Sequence, residues 1–383
     1  MRIVADANIP YVAEAFGRFG EVVTLDKQEI APATVRDAEI LLVRSETRVA
    51  AELLEGSRVR FVGSATSGID HVDLEYLKAR GITFAHAAGS NANSVAEYVV
   101  AALLVLAERF DFSLQGKRLG VVGVGHVGTR VVHMAKTLGL HVLQNDPPKA
   151  RISGARHFRV LEELMDVDML TLHVPLTVSG RDATYHLFDA ARLAKLNSGC
   201  IVINTARGPV VETAALKSAL LEGRLKAAVL DVWENEPDID VELLSLATLG
   251  TPHIAGYSLD GKVAATQMLF QAVNRFLGET QPWPELSLDQ EVQKRVLHVE
   301  PKSGTREAVL LDAVRQVYDI QEDDRRLRAA MAQPAEVRGK EFTRLRRTYG
   351  VRREFSSTRV SLTSKDAALT RVFAGLGFDV REG

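Results

Sequence analysis

An arginine, a glutamate and a histidine each follow a short apolar segment in the second half of the sequence. Arg207 comes after residues 200–204, and Glu236 and His253 come after the next two apolar runs. A guanidinium binds a carboxylate through two parallel hydrogen bonds. An imidazole, whose ordinary pKa is about 6.5, accepts a proton near neutral pH, and a carboxylate on its second nitrogen favours the imidazolium. Taken alone, Arg207 could form a surface ion pair, Glu236 could belong to a turn and His253 could be a buried structural histidine. Together, the three residues predict proton transfer on a substrate that carries a carboxylate.

A glycine-rich segment that precedes these residues indicates the cofactor beside which they would work. Residues 119–122 form an apolar run typical of a buried strand, and Gly123, Gly125 and Gly128 follow with the spacing G-x-G-x-x-G before a helical pattern. The first glycine permits a tight turn, the second lets the backbone approach a pyrophosphate, and the third lets helix and strand pack closely. Strand, glycines and helix in this order predict a dinucleotide site.

Asp146 ends the second apolar run of this unit, about twenty residues after the glycines. A carboxylate at this place accepts hydrogen bonds from both ribose hydroxyls of an adenosine. It would also repel a 2′-phosphate, so the sequence favours NAD over NADP. Lys149 and Arg151 lie close by and leave NADP open as an alternative.

Further apolar runs predict the remaining strands of this domain, at 169–172, 200–204, 227–230 and near 249. The first of them is followed by His173, Val174 and Pro175, near where a cofactor would lie. The carboxyl ends of parallel strands share one edge of a sheet. Arg207, Glu236 and His253 are therefore predicted to meet at the nicotinamide, with Asp231 on the nicotinamide side.

Residues 1–93 predict another doubly wound domain, because short apolar runs alternate with helical patterns. The predicted strands are 3–5, 22–23, 40–43, 61–63 and 82–84, and the predicted helices are 10–16, 50–55 and 72–80. Polar segments 44–47 and 64–70 follow two of the strands and are candidate substrate loops. Ser67 and Gly68 can present N–H groups to a carboxylate or phosphate before a helix that starts near Asp70; simple turn formation is the alternative.

Composition limits the class of protein. The chain has 383 residues, 46% hydrophobic and 25% charged, which is typical of a globular protein with two or three domains. A net charge of −2 gives no reason to expect nucleic acid or a membrane as a partner. The longest apolar stretch, 99–107, is too short to span a bilayer, and no signal peptide is visible, so a cytoplasmic location is expected. Cys200 is the only cysteine and suits a buried strand, with a reactive thiol as the alternative.

The last hundred residues have a different pattern. Asn93 is predicted to cap an apolar helix at 94–110, and residues 258–277 predict a helix that returns the chain to the first domain. From 281 to 383 a small α+β unit is predicted, with strands at 295–299 and 359–362 and helices at 305–320 and 365–376. Residues 336–359 carry eight Lys/Arg against three Glu. These arginines either form a solvated basic face or reach an anionic substrate across a dimer interface.

Four blocks of the sequence resemble the D-isomer-specific 2-hydroxyacid dehydrogenases. They are residues 123–128 (GVGHVG), 204–208 (NTARG), 231–237 (DVWENEP) and 251–256 (TPHIAG). The resemblance implies an α/β protein with a flavodoxin-like substrate domain at 1–93 and 255–280, a Rossmann NAD domain at 94–254, and a cleft between them. It implies that Arg207 binds the substrate carboxylate, His253 transfers the proton and Glu236 supports His253. It implies NAD contacts by Gly123, Gly125, His126, Val127, Gly128, Asp146, Val174, Pro175, Ala206, Arg207, Gly208, Asp231 and Gly256.

Within this family, further blocks are similar to those of a group that oxidises a phosphorylated 2-hydroxy acid. They are residues 44–47, 64–73, 255–258, 342–347 and 352–355. This closer resemblance implies substrate contacts by Ser45, Thr66 and Tyr257 beside Ser67 and Gly68, and a homodimer formed through a C-terminal dimerisation domain at 281–383. No metal ion is implied. A different 2-hydroxy acid, such as 3-phosphoglycerate or glycerate, and a non-catalytic NAD(H)-sensing corepressor remain alternatives.

Overall fold

The structure is a computed structural model that describes residues 1–285, 295–301 and 304–381. The chain forms two compact units. The first contains residues 1–91 and 258–285, and the second contains 92–257, 295–301 and 304–381. The predicted C-terminal domain, 281–383, thus includes residues 286–294, 302–303 and 382–383, which lie outside the described residues. The division into three domains stays a prediction.

A five-stranded parallel sheet forms the centre of the first unit. Its strands are β1 (Arg2–Asp6), β2 (Glu21–Leu25), β3 (Ile40–Val43), β4 (Phe61–Ser64) and β5 (Thr83–His86). Its helices are α1 (Val12–Phe16), α2 (Pro32–Val35), α3 (Ala51–Leu54), α4 (Leu74–Ala79) and, after residues 92–257 of the second unit, α11 (Leu259–Leu277). The strand order β2-β1-β3-β4-β5 is the flavodoxin-like order. Every residue of β3 and β4 is buried, because helices cover both faces of the sheet.

A six-stranded parallel sheet forms the centre of the second unit. Its strands are β6 (Arg118–Val122), β7 (His141–Asn145), β8 (Met169–Leu172), β9 (Cys200–Asn204), β10 (Leu225–Leu230) and β11 (Leu249–Gly250). Its helices are α5 (Ala92–Arg109), α6 (His126–Thr137), α7 (Pro147–Ser153), α8 (Ala190–Leu193), α9 (Thr213–Leu221) and α10 (Val241–Leu246). The order is β11-β10-β9-β8-β6-β7, and an isolated parallel bridge between Gln144 and Phe158 extends the sheet beyond β7. The predicted α/β class with parallel sheets is confirmed.

The helix α5 begins before the predicted cap. Asn93 lies inside the helix, which starts at Ala92, so the capping prediction was wrong. The side-chain amide of Asn93 instead donates to Glu354 Oε2 at 3.3 Å. Nearly every residue of α5 is buried, as its almost uninterrupted apolar sequence requires. A contact from a residue 261 positions away was not visible in the local sequence.

The C-terminal residues of the second unit form a small sheet with helices. The strands β12 (Arg295–Val299), β13 (Thr358–Leu362) and β14 (Asp379–Arg381) pair in parallel in the order β12-β13-β14. The helices are α12 (Arg306–Val317), α13 (Ile320–Met331), α14 (Ala335–Arg347) and α15 (Ala367–Leu376). The sequence did not predict α13, α14 or β14. Within the described ranges, no helix has both the length and the apolar character that crossing a membrane requires.

Candidate active site

The loop after β9 is folded by its own side chains and presses against the loop after β10. Asn204 donates from Nδ2 to the Arg207 carbonyl and accepts from the Ala206 N–H, both at 3.0 Å. The Arg207 guanidinium donates to the Ala206 carbonyl at 2.8 Å. A Cβ at Gly208 would lie 1.9 Å from the carbonyl carbon of Trp233. Only a glycine can lie this close to the Trp233 backbone. Gly208 therefore allows the loop that carries Arg207 to pack directly against the loop that carries Glu236.

His253 and Glu236 form a hydrogen-bonded pair across the ends of β10 and β11. The His253 Nδ1 lies 2.7 Å from Glu236 Oε2, and Glu236 Oε1 accepts from the Trp233 N–H at 2.8 Å. Burial raises the pKa of Glu236, but the charge and hydrogen bond of His253, the Trp233 N–H and the Arg346 guanidinium outweigh it and lower that pKa. An ionised Glu236 accepts the Nδ1 proton, which leaves Nε2 as the proton acceptor. The His253 side chain is 31% exposed, so a substrate can reach it.

Asp231 anchors the loop that carries His253. Its buried carboxylate accepts hydrogen bonds from the Thr251 hydroxyl and the Ile254 N–H, each at 2.7 Å, and from the Ala255 N–H at 3.0 Å. Burial raises the pKa of Asp231, against the opposing effects of His253 and these hydrogen bonds. His253 has a φ of +58°, a conformation that non-glycine residues adopt only when neighbouring contacts hold them. A cofactor contact by Asp231 stays a prediction; its observed contacts hold the loop.

The glycine turn after β6 has the geometry of a phosphate-binding loop. Gly123 has a φ of +84°, and a Cβ there would lie 2.6 Å from the His173 carbonyl oxygen. A Cβ at Gly128 would lie 2.0 Å from the Gly123 carbonyl oxygen. At Gly125 nothing lies within 4 Å of a Cβ, just before the first helical residues, His126 and Val127. The turn thus needs its outer glycines for folding and leaves open space at the middle one.

Asp146 supports this turn from the end of β7. Its Oδ2 accepts from the Val124 N–H and its Oδ1 accepts from the Lys149 N–H, both at 2.9 Å. The side chain therefore caps α7, and the Lys149 ammonium donates to the Val124 carbonyl. Ribose recognition by Asp146 remains a prediction.

His173, at the end of β8, is a polar residue whose role the sequence did not reveal. Its Nε2 lies 2.9 Å from the Thr171 hydroxyl and its Nδ1 lies 3.1 Å from the Thr205 hydroxyl. Burial lowers the pKa of His173 to about 3, so its imidazole is neutral. It joins the end of β8 to the loop before Arg207. The neighbouring Val174 and Pro175 were predicted from the same strand end, but no local pattern shows what a histidine will contact across a sheet.

The predicted substrate loops lie at the carboxyl ends of β3 and β4 in the first unit. Ser45 is exposed directly after β3. The Thr66 hydroxyl donates to the Gly68 carbonyl at 3.0 Å, and the Ser67 hydroxyl accepts from the Gly89 N–H at 2.9 Å. The helix expected near Asp70 begins only at Leu74 with Asp73 as its cap, so that start was wrong. The loop with Thr66 and Ser67 is therefore held by one hydrogen bond within it and by one from Gly89, rather than by a helix that follows directly.

Two cationic side chains lie near each other in the first unit. Arg44 follows β3, and Lys262 is in the first turn of α11. Burial lowers the pKa of Lys262, and the positive charge of Arg44 lowers it further. An anion bound near these side chains would favour their charged forms.

Arg346 lies in the same unit as His253 and Glu236, although it is far from them in sequence. Its guanidinium carbon lies 5.9 Å from the centre of the Tyr257 ring, and its charge contributes to the lowered pKa of Glu236. Arg347, the next residue of α14, is exposed. Arg346 is thus a basic residue of 336–359 that lies near the predicted chemistry within its own chain.

Residues 94–255 match the family model described as "D-isomer specific 2-hydroxyacid dehydrogenase, NAD binding domain". A relative in Hahella chejuensis, named erythronate-4-phosphate dehydrogenase, is 44% identical over 99% of both chains. One with the same name in Salinibacter ruber is 45% identical over 96% of this chain and 95% of its own. The chain belongs to the D-isomer-specific 2-hydroxyacid dehydrogenase family. The predicted family is thereby confirmed, and the protein is an NAD-dependent dehydrogenase.

A solved structure has a fold similar to that of most of this chain. The D-lactate dehydrogenase of Aquifex aeolicus, solved with NAD and lactic acid, is 26% identical with a TM-score of 0.60 and covers 73% of this chain and 96% of its own. Residues 292–377 match a separate model described only as a domain of unknown function. The NAD cofactor fits the glycine turn, because the space beside Gly125 at the start of α6 suits a pyrophosphate.

Proposed function

We propose that the protein oxidises C2 of 4-phospho-D-erythronate to (R)-3-hydroxy-2-oxo-4-phosphooxybutanoate with NAD, a step of pyridoxal 5′-phosphate biosynthesis. Full-length relatives at 44% and 45% identity carry the name erythronate-4-phosphate dehydrogenase. The structural observation that carries the proposal is the 2.7 Å contact between His253 Nδ1 and Glu236, beside a loop that carries Arg207. Acid–base chemistry on a carboxylate substrate needs these three groups.

In the proposed reaction each residue has one role. Arg207 binds the C1 carboxylate and polarises the neighbouring C2 oxygen. His253 Nε2 takes the C2 hydroxyl proton as the C–H bond breaks and the C2 carbonyl forms. Glu236 keeps Nε2 as the acceptor and stabilises the imidazolium that results. NAD, when bound, accepts the hydride from C2.

The remaining predicted contacts are proposed on the same basis. Residues proposed to hold NAD are Gly123, Gly125, His126, Val127, Gly128, Asp146, Val174, Pro175, Ala206, Arg207, Gly208, Asp231 and Gly256. Residues proposed to contact the substrate are Ser45, Thr66, Ser67, Gly68, Arg207 and Tyr257. We further propose that the 4-phosphate is bound by cationic side chains, with Arg44 and Arg346 as the candidates. The proposed assembly is a homodimer formed through the C-terminal residues, and the proposed location is the cytoplasm.

A substrate panel tests the reaction. NADH formation, followed by absorbance, is expected with 4-phosphoerythronate and to be much slower with 3-phosphoglycerate and glycerate. Faster oxidation of either alternative would reassign the substrate, and no NADH formation with any 2-hydroxy acid would remove the enzymatic proposal.

Replacing Gly125 with Ala is expected to weaken NAD binding without destabilising the protein. The added methyl meets no protein atom within 4 Å but occupies space proposed for the pyrophosphate. A steric conflict of this kind costs about 1–3 kcal/mol, so the Kd for NAD should rise about 10- to 100-fold. The Tm without NAD should change by less than about 2 °C. Fluorescence titration and thermal unfolding measure the two effects.

Gly128→Ala is the matched control for this change. Its methyl would lie 2.0 Å from the Gly123 carbonyl oxygen, so the Tm should fall by about 5 °C or more. An unchanged Kd for NAD in Gly125→Ala would contradict the proposed pyrophosphate position.

Replacing Arg346 with Ala is expected to slow the oxidation of a phosphorylated substrate selectively. A hydrogen bond to a charged group contributes about 1.5–3 kcal/mol, so kcat/KM for 4-phosphoerythronate should fall about 10- to 100-fold. The value for unphosphorylated erythronate should change much less. Arg347→Ala is the matched control, because the neighbouring side chain is exposed. Equal losses on both substrates would exclude a phosphate role for Arg346.

A further inference from the structure

A short C-terminal segment, residues 352–355, is docked against the start of α5. Glu354 accepts hydrogen bonds from the Ser94 hydroxyl at 2.8 Å and from the Asn93 amide at 3.3 Å. The Phe355 N–H donates to Glu97 Oε1 at 2.8 Å. These bonds cross about 260 residues of sequence, and they hold the chain directly after Arg353.

Arg352 extends from this segment to the loop that carries His253. Its Nη1 donates to the Ala255 carbonyl at 3.1 Å, and its Nη2 donates to the Ser94 carbonyl at 2.6 Å. The guanidinium thus bridges the catalytic loop and α5. The residue is 5% exposed, so water does not compete for these bonds.

The surroundings of Arg352 keep it charged and in place. The guanidinium carbon lies 3.8 Å from the centre of the Tyr318 ring, and Nη2 lies 3.8 Å from Glu97 Oε2. Burial lowers the pKa of Arg352, but Tyr318, Glu97 and other neighbours outweigh burial and raise it. A buried guanidinium with an aromatic face and a carboxylate beside it is a stable cation.

Ala255 is held from both sides as a result. Its N–H donates to Asp231 at 3.0 Å and its carbonyl accepts from Arg352. His253, two residues earlier, has a φ of +58° and donates its N–H to the Asp231 carbonyl at 2.7 Å. A left-handed backbone at a non-glycine residue persists only where surrounding contacts determine it. Asp231 supplies such contacts from β10, and Arg352 supplies one from the C-terminal residues.

We propose that Arg352 is a positioning residue for His253, and that the C-terminal residues are thereby part of the scaffold of the active site. The inference rests on the proposed function in that it concerns the histidine assigned there to proton transfer. It gives the part of the chain that matches only a domain of unknown function a role within its own subunit. Arginine suits this role because its two terminal nitrogens reach two carbonyls at once, whereas the single ammonium of lysine does not.

The test compares Arg352→Lys with the wild type. Lysine keeps the charge but loses the bridge to two carbonyls. We therefore expect the amide hydrogens of Ile254 and Ala255 to exchange about tenfold faster. Mass spectrometry of a peptide that covers residues 249–258 measures this rate. Exchange in peptides from β6 and β9 should not change. A misplaced catalytic group lowers turnover, so kcat should fall about 10- to 100-fold. The KM for NAD should change by less than about threefold, since the substitution does not touch the residues proposed to bind NAD.

Arg359→Lys is the matched control. Arg359 is another C-terminal arginine, and its Nε donates to Asp379 at 3.2 Å on the surface of the small sheet. It should change neither the exchange of the 249–258 peptide nor kcat. Unchanged exchange of this peptide in Arg352→Lys, or an equal rise throughout the second unit, would overturn the positioning role. Because exchange needs no substrate, a wild type inactive on 4-phosphoerythronate would refute the proposed function and leave this test decisive.

Discussion

Replacing His253 with Gln is expected to lower kcat for oxidation of 4-phosphoerythronate by about 10² to 10⁴, the range that general base catalysis supplies. Glutamine is close in size but cannot accept the hydroxyl proton and carry it as a cation. NAD binding should be retained, because the glycine turn lies at another strand end of the same sheet. Steady-state NADH formation gives kcat, and fluorescence titration gives the Kd for NAD.

The protein contains a second histidine–glutamate pair that provides a matched control. His186 Nε2 lies 2.8 Å from Glu234 Oε1, so this pair also joins an imidazole to a carboxylate, although through the other ring nitrogen. His186→Gln removes such a contact outside the proposed machinery, and kcat should stay within about fivefold of the wild type. Wild-type turnover in His253→Gln, or equal losses in the two variants, would refute the role given to His253.

Replacing Arg207 with Ala is expected to lower kcat/KM for 4-phosphoerythronate by about 30- to 5,000-fold, since truncating one partner of a hydrogen-bonded charge pair costs about 2–5 kcal/mol. The loss falls on the substrate because the guanidinium is proposed to bind its C1 carboxylate. Initial rates at varied substrate and saturating NAD measure the effect.

Arg207→Lys separates charge from geometry. Lysine keeps the positive charge but lacks the planar fork that binds a carboxylate through two bonds, so only part of the activity should return. Arg224→Ala is the control for loss of an arginine from the same domain, because Arg224 pairs with Glu222 at 2.7 Å on the surface. Full activity in Arg207→Ala would leave the substrate carboxylate without its proposed partner and disprove the assignment.

Most of the regular elements could be predicted because their signals are local. The strands β1, β3, β4, β6, β8 and β9 are short apolar runs, and such runs are typical of parallel sheets covered on both faces. The glycine turn could also be predicted. The atoms that leave no room for a Cβ at Gly123 and Gly128 lie within the turn or at the adjacent strand end. The helices α13 and α14 were missed because their sequences are rich in charge and their apolar faces are narrow.

The site was predictable in its residue types but not in its supporting contacts. Arg207, Glu236 and His253 were expected at neighbouring strand ends, and they follow β9, β10 and β11. The contacts that hold the neutral His173, and the Trp233 N–H that holds Glu236, were missed. Such contacts join different strands, and no sequence spacing specifies them.

By itself, the sequence determined the parallel α/β class, the glycine turn and the order in which the reactive residues follow their strands. Those features depend on hydrophobic periodicity and on the backbone freedom of single glycines. Both can be recognised from residues that lie close together in the sequence. Only the tertiary structure decided that Gly208 abuts Trp233 and that Arg352 reaches the Ala255 carbonyl. These contacts join residues far apart in the chain or on different loops, and they exist only once packing has brought the segments together.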